Sequence, residues 1–532
     1  MSKRRFFRTK GDRGFLSFYQ TRSNERRVTM MRKMVLGMFG MVGFVCFIFV
    51  FPHTGSGEDK LIKTEGMTTI SPSKIERFKA ALAKKGFEVE EWEEAIGNVD
   101  IADLVCKGLM AIGYGNNADA PYMVFRQELE APQPIGKIKI PRLFQLRPDE
   151  AIVLIGQTPP PVAYFSYRSY VVDHIYENAL GEKEATRVFT SLGDTLSNRT
   201  IKTMGQDPFK RDVLIVITAD RGTDARVRAA ARSAGIPSAI INTDIIPSSV
   251  VRMGIDKEPM PFSGPPKDFD AFLFIHRIFL NEGLESEYEQ YLENPGARVL
   301  HLTQDPQTVK LDPFPMPQVL KRGTGSTEVD LMPSLENLRQ AILNSYPGYT
   351  ATELTTRIWL NEWLDGIQRK EHLIGENRDT SYLCSENFTL QDSSDEFLII
   401  YGINHELRGK ATYSNFSVYH YEKKLGIVGK HSRDLADSAY DYIPKDPNDP
   451  YYDPNASYLY AWKVARACSQ NDPKCLQIKL PERVQRVQPC NLVDLNKDLF
   501  VAFRAYVEPE TKVGPYWYEL LYDRVIKFSK NK

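Results

Sequence analysis

Hydrophobic residues recur with a helical period in the segment that follows the N-terminal region. Residues 71–86, SPSKIERFKAALAKKG, carry apolar side chains three and four positions apart, with an early Pro72, a serine–glutamate capping box and a final Gly86. The segments EEWEEAIG and DIADLVCKGLMAIG extend this helical character. The pattern therefore predicts a small helical unit over residues 66–115.

Short apolar runs alternate with helix-like segments between residues 149 and 303. Residues 212–218 (DVLIVIT) predict a strand, residues 223–235 a capped helix, and residues 238–242 a second strand. A strand, a helix and a strand in close succession form a βαβ unit with parallel strands. Further apolar runs flank another helix candidate, so the pattern predicts a layered α/β domain over residues 149–303.

The second half of the chain changes from a helical to a strand-like pattern. Residues 304–333 are rich in Pro and Gly and predict a connection. Residues 334–372 predict a pair of helices, the second of them over residues 350–364, where a T-A-T-E capping box precedes an apolar face. Residues 396–532 have a period of two and predict a mainly antiparallel β-rich domain. The pattern predicts no internal repeat.

A charge-free apolar run follows a strongly basic leader at the N-terminus. Residues 2–33 carry eleven Lys or Arg and two acidic residues, and residues 34–51 are long enough to span a thin bilayer. We therefore expect a cytosolic tail (1–33), a signal anchor in the lipid bilayer (34–51) and a juxtamembrane linker (52–65). These segments predict a single-pass type II membrane protein of the ER, Golgi or cell surface, with its C-terminal part lumenal or extracellular. A cleaved signal, a transit peptide and a buried core helix are the alternatives.

The overall composition limits the other classes of function. The formal net charge is zero, and Lys and Arg are dispersed beyond the leader, so we do not expect a nucleic acid as partner. With 42% apolar and 26% charged residues, the chain is neither disordered throughout nor a multi-span membrane protein.

Five of the six cysteines follow the predicted anchor. Cys468 and Cys475 flank a polar loop and are the best candidates for a disulfide, and Cys384 with Cys490 is a second, weaker candidate pair. Five reduced buried thiols are the alternative. Four sequons predict N-glycosylation of an ectodomain, with Asn415 on a solvent-facing strand surface: Asn198, Asn387, Asn415 and Asn455.

Polar residues follow two of the predicted strands of the α/β domain. The loop after residues 212–218 contains Asp220, Arg221, Gly222 and Thr223, and Asp244 follows the next strand. Ligands of α/β sheets bind at the carboxyl ends of strands and at helix N-termini, so these residues could meet a phosphate or a sugar. A helix-capping turn is the alternative explanation.

Two further motifs suggest enzymatic chemistry. Asp268 and Asp270 form a D-x-D, which together with the predicted anchor and α/β domain resembles the glycosyltransferases of the secretory pathway. That resemblance implies a nucleotide-sugar substrate and a divalent cation such as Mn²⁺ on the two carboxylates. SLGDTLS resembles the first block of the GDSL ester hydrolases, with Thr195 in the nucleophile position, and Gly402 and Asn404 form a later G-x-N.

Three more groups are candidates for binding or catalysis. His405 beside Asn404, and His420 on a nearby strand candidate, could share a pocket, with a structural role as the alternative. Arg504 and Arg524 lie in apolar runs and could bind an acidic ligand or pair with neighbouring carboxylates. Oxygen ligands that could bind Ca²⁺ lie between residues 441 and 457, and a set of Asx turns is the alternative: Asp446, Asn448, Asp449 and Asp453.

These observations support more than one function. The first expectation is a membrane-anchored lumenal enzyme that acts on a nucleotide-linked or sugar-like substrate, with glycosyl transfer as its most concrete form. The second is a non-catalytic ectodomain that binds carbohydrate or protein, and the third is an ester hydrolase. A cleft that contains Asp220, Asp244 and Asp270 together would favour the enzyme, whereas their dispersal over the surface would favour the binding module.

Overall fold

The fold of the chain is given by a computed structural model. The structure describes residues 70–531, except for residues 94–95, 119, 132–134, 258–263, 280–284, 471 and 486–489. The predicted cytosolic tail, anchor and linker lie outside the described residues. Among those that are described, we find no helix that is both apolar and long enough to span a membrane.

The described chain is mixed α/β, with more residues in strands than in helices. Its helices are α1 (Pro72–Ala83), α2 (Ile101–Cys106), α3 (Arg221–Ser233), α4 (Glu285–Glu293), α5 (Met332–Asn344) and α6 (Trp363–Arg369). The strands of the first half are β1 (Glu88–Glu91), β2 (Ile96–Val99), β3 (Tyr122–Ala131), β4 (Gly136–Pro141), β5 (Ala151–Gln157), β6 (Tyr164–Glu177), β7 (Lys183–Ser191), β8 (Leu196–Ser197), β9 (Asp212–Thr218), β10 (Ile241–Ile245), β11 (Ala271–Phe279) and β12 (Arg298–Thr303). Those of the second half are β13 (Tyr349–Leu354), β14 (Thr356–Ile358), β15 (Thr380–Ser385), β16 (Glu396–Ile403), β17 (Tyr413–His420), β18 (Leu425–His431), β19 (Leu459–Ala465), β20 (Cys475–Gln477), β21 (Leu499–Tyr506) and β22 (Arg524–Lys530).

The first half of the described chain is a sandwich of two sheets. Sheet I has the strand order β1-β12-β5-β9-β10, and sheet II has the order β2-β3-β11-β6-β7, with β4 paired to β3 and β8 to β6. Their facing side chains form one apolar core, which includes Leu154, Ile215, Phe125 and Phe274. Helices α1 and α3 pack on the other face of sheet I.

The second half is built in the same way. Sheet III has the order β13-β22-β16-β19-β20, and sheet IV has the order β14-β15-β21-β17-β18. Leu398 and Ile400 of sheet III pack against Phe416 and Phe503 of sheet IV. Helix α5 covers the other face of sheet III.

The two halves share one topology. If the short strands β4 and β8 are left out, the strands of each half correspond in chain order, so that sheet I matches sheet III and sheet II matches sheet IV, strand for strand. The pairing directions also agree: β9 and β10 are parallel, as are β19 and β20, and the other corresponding pairs are antiparallel. Helices α1 and α2 match α5 and α6 in position along the chain. The chain is therefore a tandem structural repeat, and the expectation of no internal repeat was wrong.

The repeat explains where the expected α/β layering differs from the structure. Strand β9, helix α3 and the parallel strand β10 follow one another, but the other pairings of sheet I are antiparallel. Strand β11 belongs to sheet II, although the sequence suggested a single layered sheet. Antiparallel neighbours come from distant parts of the chain, which local periodicity does not reveal.

Two predicted helices are strands in the structure. The segment EEWEEAIG contains the end of β1 and the start of β2, and β1 pairs with β12. Most of residues 350–364 form β13 and β14, which pair with β22 and β15. The charged and threonine-rich residues of these segments are compatible with a helix. The segments form strands instead because they pair with a neighbouring strand at the edge of a sheet. Helix α1 agrees with the prediction, and its N-cap Ser71 accepts a hydrogen bond from the Lys74 N–H.

Aromatic side chains join the two repeats where sheet II faces sheet IV. The ring centres of Phe279 and Tyr413 are 4.4 Å apart, and those of Tyr164 and Tyr506 are 4.9 Å apart. Tyr164 and Phe279 come from sheet II, whereas Tyr413 and Tyr506 come from sheet IV. The sheets are therefore stacked in the order I, II, IV, III, with helices on both outer faces.

The described residues contain two disulfides. One joins Cys468 and Cys475, as the sequence predicts, and the other joins Cys106 of α2 to Cys490. Cys384 is a buried free thiol, so the weaker candidate pair Cys384–Cys490 was wrong. Helix α2 packs into the core of the second repeat, and this places Cys106 beside Cys490.

Candidate functional site

A cavity of about 260 Å³ lies between sheets II and IV. Sheet II contributes side chains from five strands, β3, β4, β6, β7 and β11, and sheet IV contributes β15 and β21. The segment after α2 forms part of the wall, with Ala111 exposed at its rim. Most of the lining is apolar or aromatic and includes Val124, Val172, Phe189, Leu273, Ile275, Trp359 and Ile374.

Two similar loops from the two repeats border this cavity. Residues 115–122 (GNNADAPY) and 375–382 (GENRDTSY) share the pattern G-x-N-x-D-x-x-Y, and each loop runs into the corresponding strand, β3 or β15. The Asn117 N–H donates to Tyr122 Oη at 2.7 Å, and the Asn377 N–H donates to Tyr382 Oη at 3.1 Å. The loops therefore have a common internal hydrogen bond.

In both loops the first residue, a glycine, and the residue before it are in the left-handed region. The φ angles are 49° at Tyr114 and 65° at Gly115, and 43° at Ile374 and 85° at Gly375. Glycine adopts this conformation without the steric cost that a Cβ atom brings. The turn directs the carbonyl group of each glycine toward an arginine of the other repeat, as the hydrogen bonds of Arg277 and Arg504 show.

Arg277 and Arg504 occupy corresponding positions of the two repeats. Arg277 of β11 lies opposite Tyr122 of β3, and Arg504 of β21 lies opposite Tyr382 of β15. Arg277 Nη2 donates to the Gly375 carbonyl, while Arg504 Nη2 donates to the carbonyl of Gly115 at 2.7 Å. Each guanidinium thus crosses to the loop of the opposite repeat.

Both arginines line the cavity and are buried, with 4% and 3% of their surface exposed for Arg277 and Arg504. A guanidinium stays charged under these conditions. Aromatic faces surround both groups: Arg277 lies 5.3 Å from the ring centre of Tyr170, and Arg504 lies 5.4 Å from that of Tyr419. Neither arginine forms an ion pair with a described carboxylate within 4 Å.

Arg187 is the contrasting third arginine of the described lining. Its Nε and Nη2 donate to the two carboxylate oxygens of Asp173 at 2.8 and 2.9 Å, and its Nη1 contacts Tyr114 Oη. This bidentate pair neutralises the charge of Arg187. The charges of Arg277 and Arg504 have no comparable compensation from the carboxylates that the structure describes.

Two residues of the loop of the second repeat carry buried carboxyl groups. Burial raises the pKa of Glu376 to about 7, against the hydrogen bond that its Oε2 accepts from Thr190 Oγ1 at 2.8 Å. Burial also raises the pKa of Asp379, whose Oδ2 accepts hydrogen bonds from Tyr164 and Thr195. Both groups therefore favour the protonated state more than exposed carboxyl groups do.

The predicted phosphate or sugar loop has a capping role in the structure. Asp220 Oδ1 accepts from the Thr223 N–H at 2.7 Å as the N-cap of α3, and its other oxygen accepts from the Asp312 N–H. The exposed Arg221 pairs with Asp312, and Gly222 lies in the first turn of the helix. None of these residues lines the cavity.

The other aspartates of the proposed enzyme site also have different partners in the protein. Asp244 forms a buried ion pair with Arg168. Asp270 contacts His174 Nδ1 at 2.7 Å and accepts two backbone hydrogen bonds, whereas Asp268 is half-exposed and pairs with Lys183. The D-x-D carboxylates therefore have different environments, and the three aspartates of the proposed cleft do not meet.

The two candidate histidines have no contact residue in common. His405 Nδ1 lies 2.8 Å from Glu328 Oε1, and its Nε2 lies 3.7 Å from Asp523 Oδ2. Burial lowers the pKa of His405, but the two carboxylates outweigh this effect and raise it to about 10. His420 Nε2 instead lies 3.1 Å from the Asp494 carbonyl, and burial lowers its pKa.

The residues of the hydrolase hypothesis are separate as well. Thr195 is buried and donates to Asp379. Asn404 Nδ2 donates to the Ser432 carbonyl at 2.7 Å, and Gly402 packs beside Asp523 in the second repeat. Thr195 and Asn404 thus have different partners.

The predicted calcium loop forms a series of Asx turns. Asp446 accepts from the Asn448 N–H at 2.9 Å, and Asp449 accepts from the backbone N–H two residues further on. Asp453 is buried and accepts from Ser334 Oγ at 2.9 Å. In the described part of the chain, no group of three or more His, Cys, Asp or Glu side chains could hold a metal ion.

The four sequons differ in exposure. Asn387 is exposed, and Asn198 and Asn455 are half-buried. Asn415 is only 4% exposed, and its Nδ2 donates to Asn117 Oδ1 at 2.7 Å. The expected solvent-facing surface around Asn415 was therefore wrong, because this face of β17 packs against the loop of the first repeat.

Arg504 lies in the cavity wall, whereas Arg524 pairs with Glu336 at 3.2 Å. Arg277 was missed because it lies in an apolar strand without a motif of its own. The internal repeat could have indicated both arginines. The loop pattern G-x-N-x-D-x-x-Y occurs twice in the sequence, and an aromatic residue stands two positions after each arginine, in I-F after Arg277 and in A-Y after Arg504.

A second cavity of about 350 Å³ lies near α5 and β13 and has charged walls. Its charged side chains have partners in the protein: Glu353 pairs with Arg339, and Arg524 pairs with Glu336. The cavity between the repeats is therefore the better candidate for a ligand site.

Comparisons with known proteins yield no assignment. No protein-family model and no curated protein matches the chain. Among solved structures, an uncharacterized protein from Burkholderia cenocepacia matches with a TM-score of 0.32 and 11% identity over 86% of this chain and 88% of its own. The VPA0106 protein from Vibrio parahaemolyticus matches with a TM-score of 0.32 and 11% identity over 79% of this chain and 90% of its own. At these values the likenesses support no inference about function.

Proposed function

We propose that the protein is a binding module for a small, mostly apolar molecule that occupies the cavity between the two repeats. The observation that carries this proposal is the apolar and aromatic wall that two facing sheets provide together. Ligand sites are typically concave and apolar with a few polar groups that fix orientation. The lining has this composition, with arginines and tyrosines as its polar groups.

The size of the cavity indicates the size of the ligand. An apolar cavity of about 150 Å³ accepts benzene. The volume of about 260 Å³ therefore has room for an aromatic ring with a short side chain, or for an aliphatic chain of similar volume. A nucleotide sugar is considerably larger than this space.

The environments of the three aspartates agree better with a binding role than with glycosyl transfer. Asp220 caps a helix, Asp244 pairs with Arg168, and Asp270 accepts hydrogen bonds from its own neighbours. All three are buried, so they are not dispersed over the surface, but each has different partners, and this supports a binding module more than an enzyme with a common acidic cleft. The apolar wall also favours a small apolar ligand over carbohydrate.

The proposal includes an oxidising compartment and a membrane anchor. Two disulfides support a lumenal or extracellular position, because such bonds are rare in the cytosol. The anchor over residues 34–51 remains part of the proposal on the basis of its sequence. In this arrangement the tandem repeat would present its cavity outside the cytosol.

Calorimetric titration of the full-length protein with 3-phenylpropanoate tests the proposal. Leu273→Trp fills the cavity and should weaken binding at least tenfold. Leu180→Trp makes the same change at a position that is 83% exposed and outside the cavity, and should leave the affinity unchanged. Thermal unfolding would verify that both variants are folded. Equal binding by the two variants would place the ligand elsewhere and contradict the proposal.

A further inference from the structure

The unpaired charges of Arg277 and Arg504 define the ligand more closely. This inference rests on the proposed function, since it concerns the same cavity. The described lining contains three arginines and no Asp or Glu, and among these arginines Arg187 is neutralised by Asp173. Two positive charges therefore remain in a mostly apolar wall.

We propose that the ligand carries an anionic group of the carboxylate class, bound by Arg277 and Arg504. Its apolar body lies against side chains of sheet II such as Val172 and Leu273. The site thus selects a small amphipathic anion. Neutral molecules of the same shape bind less tightly.

The first argument is the cost of burying a charge. A buried ion is unfavourable unless it is paired and hydrogen-bonded. Aromatic faces compensate part of this cost at Arg277 and Arg504. The charge of Asp379 also acts on Arg277, but its Oδ2 is occupied by Tyr164 and Thr195. An anionic ligand would supply the missing counter-charge.

The second argument is the state of the hydrogen-bond donors. Arg277 Nη2 and Nη1 are used by the Gly375 carbonyl and by Tyr382, but its Nε has no partner among the described atoms. Arg504 Nη2 is used by the Gly115 carbonyl, whereas its buried Nη1 is without a described partner. Each guanidinium thus retains a buried donor nitrogen that a ligand reaches only after the side chain shifts, and guanidinium donors match the oxygens of a carboxylate.

The third argument is that the protein holds both guanidinium groups in place before a ligand arrives. Each is tied to a glycine carbonyl of the opposite repeat and flanked by tyrosine rings. Groups that are already ordered lose less conformational entropy on binding. The same contacts would also occur if the arginines served only to join the repeats, so the test must separate the two roles.

Titration of the full-length wild-type protein with a charged and a neutral ligand of the same shape makes this separation. We expect 3-phenylpropanoate to bind at least tenfold more tightly than 3-phenylpropanamide at pH 7. Equal affinities would overturn the anionic inference and leave the proposed function intact. If neither ligand binds, the proposed function fails, and the inference fails with it.

Substitution of the arginines identifies the groups that bind the charge. Arg277→Met and Arg504→Met should each weaken 3-phenylpropanoate at least tenfold and change 3-phenylpropanamide less than threefold. Arg199→Met, at an exposed position outside the cavity, is the matched control and should change neither. Equal losses for both ligands would assign the arginines a structural role and overturn the inference. If the variants do not fold, the comparison on the wild-type protein decides.

Discussion

Arg277 and Arg504 approach the same side chain, Tyr382, from different sheets. Arg277 Nη1 donates to Tyr382 Oη at 3.3 Å, while the Arg504 guanidinium lies 5.5 Å from the centre of the tyrosine ring. Arg277 comes from sheet II of the first repeat, and Arg504 and Tyr382 come from sheet IV of the second. The cavity therefore belongs to the interface, and neither repeat could form it alone.

The loop glycines are expected to be necessary for stability. Gly115 and Gly375 have positive φ, and an added Cβ would lie 3.0 Å from Ile374 Cδ1 and 3.3 Å from the Phe189 ring, respectively. Gly115→Ala and Gly375→Ala should each lower the free energy of unfolding by about 1–2 kcal/mol, measured by urea denaturation. Gly348→Ala is the control, since it has open space around it and no positive φ. A similar loss in the control would contradict this explanation.

The two disulfides should contribute unequally. Cys106 and Cys490 are 384 positions apart, whereas Cys468 and Cys475 are 7 apart. In the chain-entropy model the longer loop gives about 6 kcal/mol and the shorter about 2.5 kcal/mol. We therefore expect replacement of the first pair by alanines to cost about twice as much unfolding free energy as replacement of the second. Equal costs in urea denaturation would show that loop entropy does not dominate.

Glu376 should make stability depend on pH. Its pKa is about 7 in the folded protein and 4.5 when exposed, so the folded carboxyl retains its proton where the unfolded one has lost it. Stability therefore falls as pH rises from 4.5 to 7, and the loss persists above pH 7. Glu376→Gln, a neutral isostere, should become more stable relative to wild type by about 2 kcal/mol between pH 5 and pH 8. A constant difference in urea denaturation at the two pH values would contradict the raised pKa.

The sequons provide a test of the lumenal position. In a glycosylating eukaryotic host, we expect glycosidase treatment of the full-length protein to increase its mobility on a gel. Asn387→Gln should reduce this shift because Asn387 is exposed, whereas Asn415→Gln should not, because Asn415 is buried against Asn117. The absence of a shift for the wild-type protein would argue against the lumenal assignment, and occupancy of Asn415 would contradict the packing of β17.

Local patterns predict the elements whose own residues determine their conformation. Helix α1 has a serine cap and an apolar stripe, and β9 and β12 are short apolar runs, so all three follow from the sequence. Strands β1 and β13 do not, because their polar residues acquire a strand conformation only by pairing with β12 and β22. The tandem repeat was also missed, since the topology is retained while side chains and loop lengths differ.

The candidate site was predictable only in part. Arg504 could be recognised as a charged residue in an apolar strand. The role of Arg277 becomes apparent only from its hydrogen bond to the loop of the other repeat. Asp220 and Asp244 looked chemically promising because their position after a strand is shared by binding sites and by structural turns. Their hydrogen-bond partners, Thr223 and Arg168, become known only from the fold.

The most direct test of the central claim is a crystal structure of the full-length protein soaked with 3-(4-bromophenyl)propanoate, in which anomalous scattering locates the bromine. A bromine peak between sheets II and IV, among residues such as Leu273 and Phe189, is the result that we predict. A peak at another place, or an empty cavity in protein that is shown by calorimetry to bind the ligand, would contradict the account.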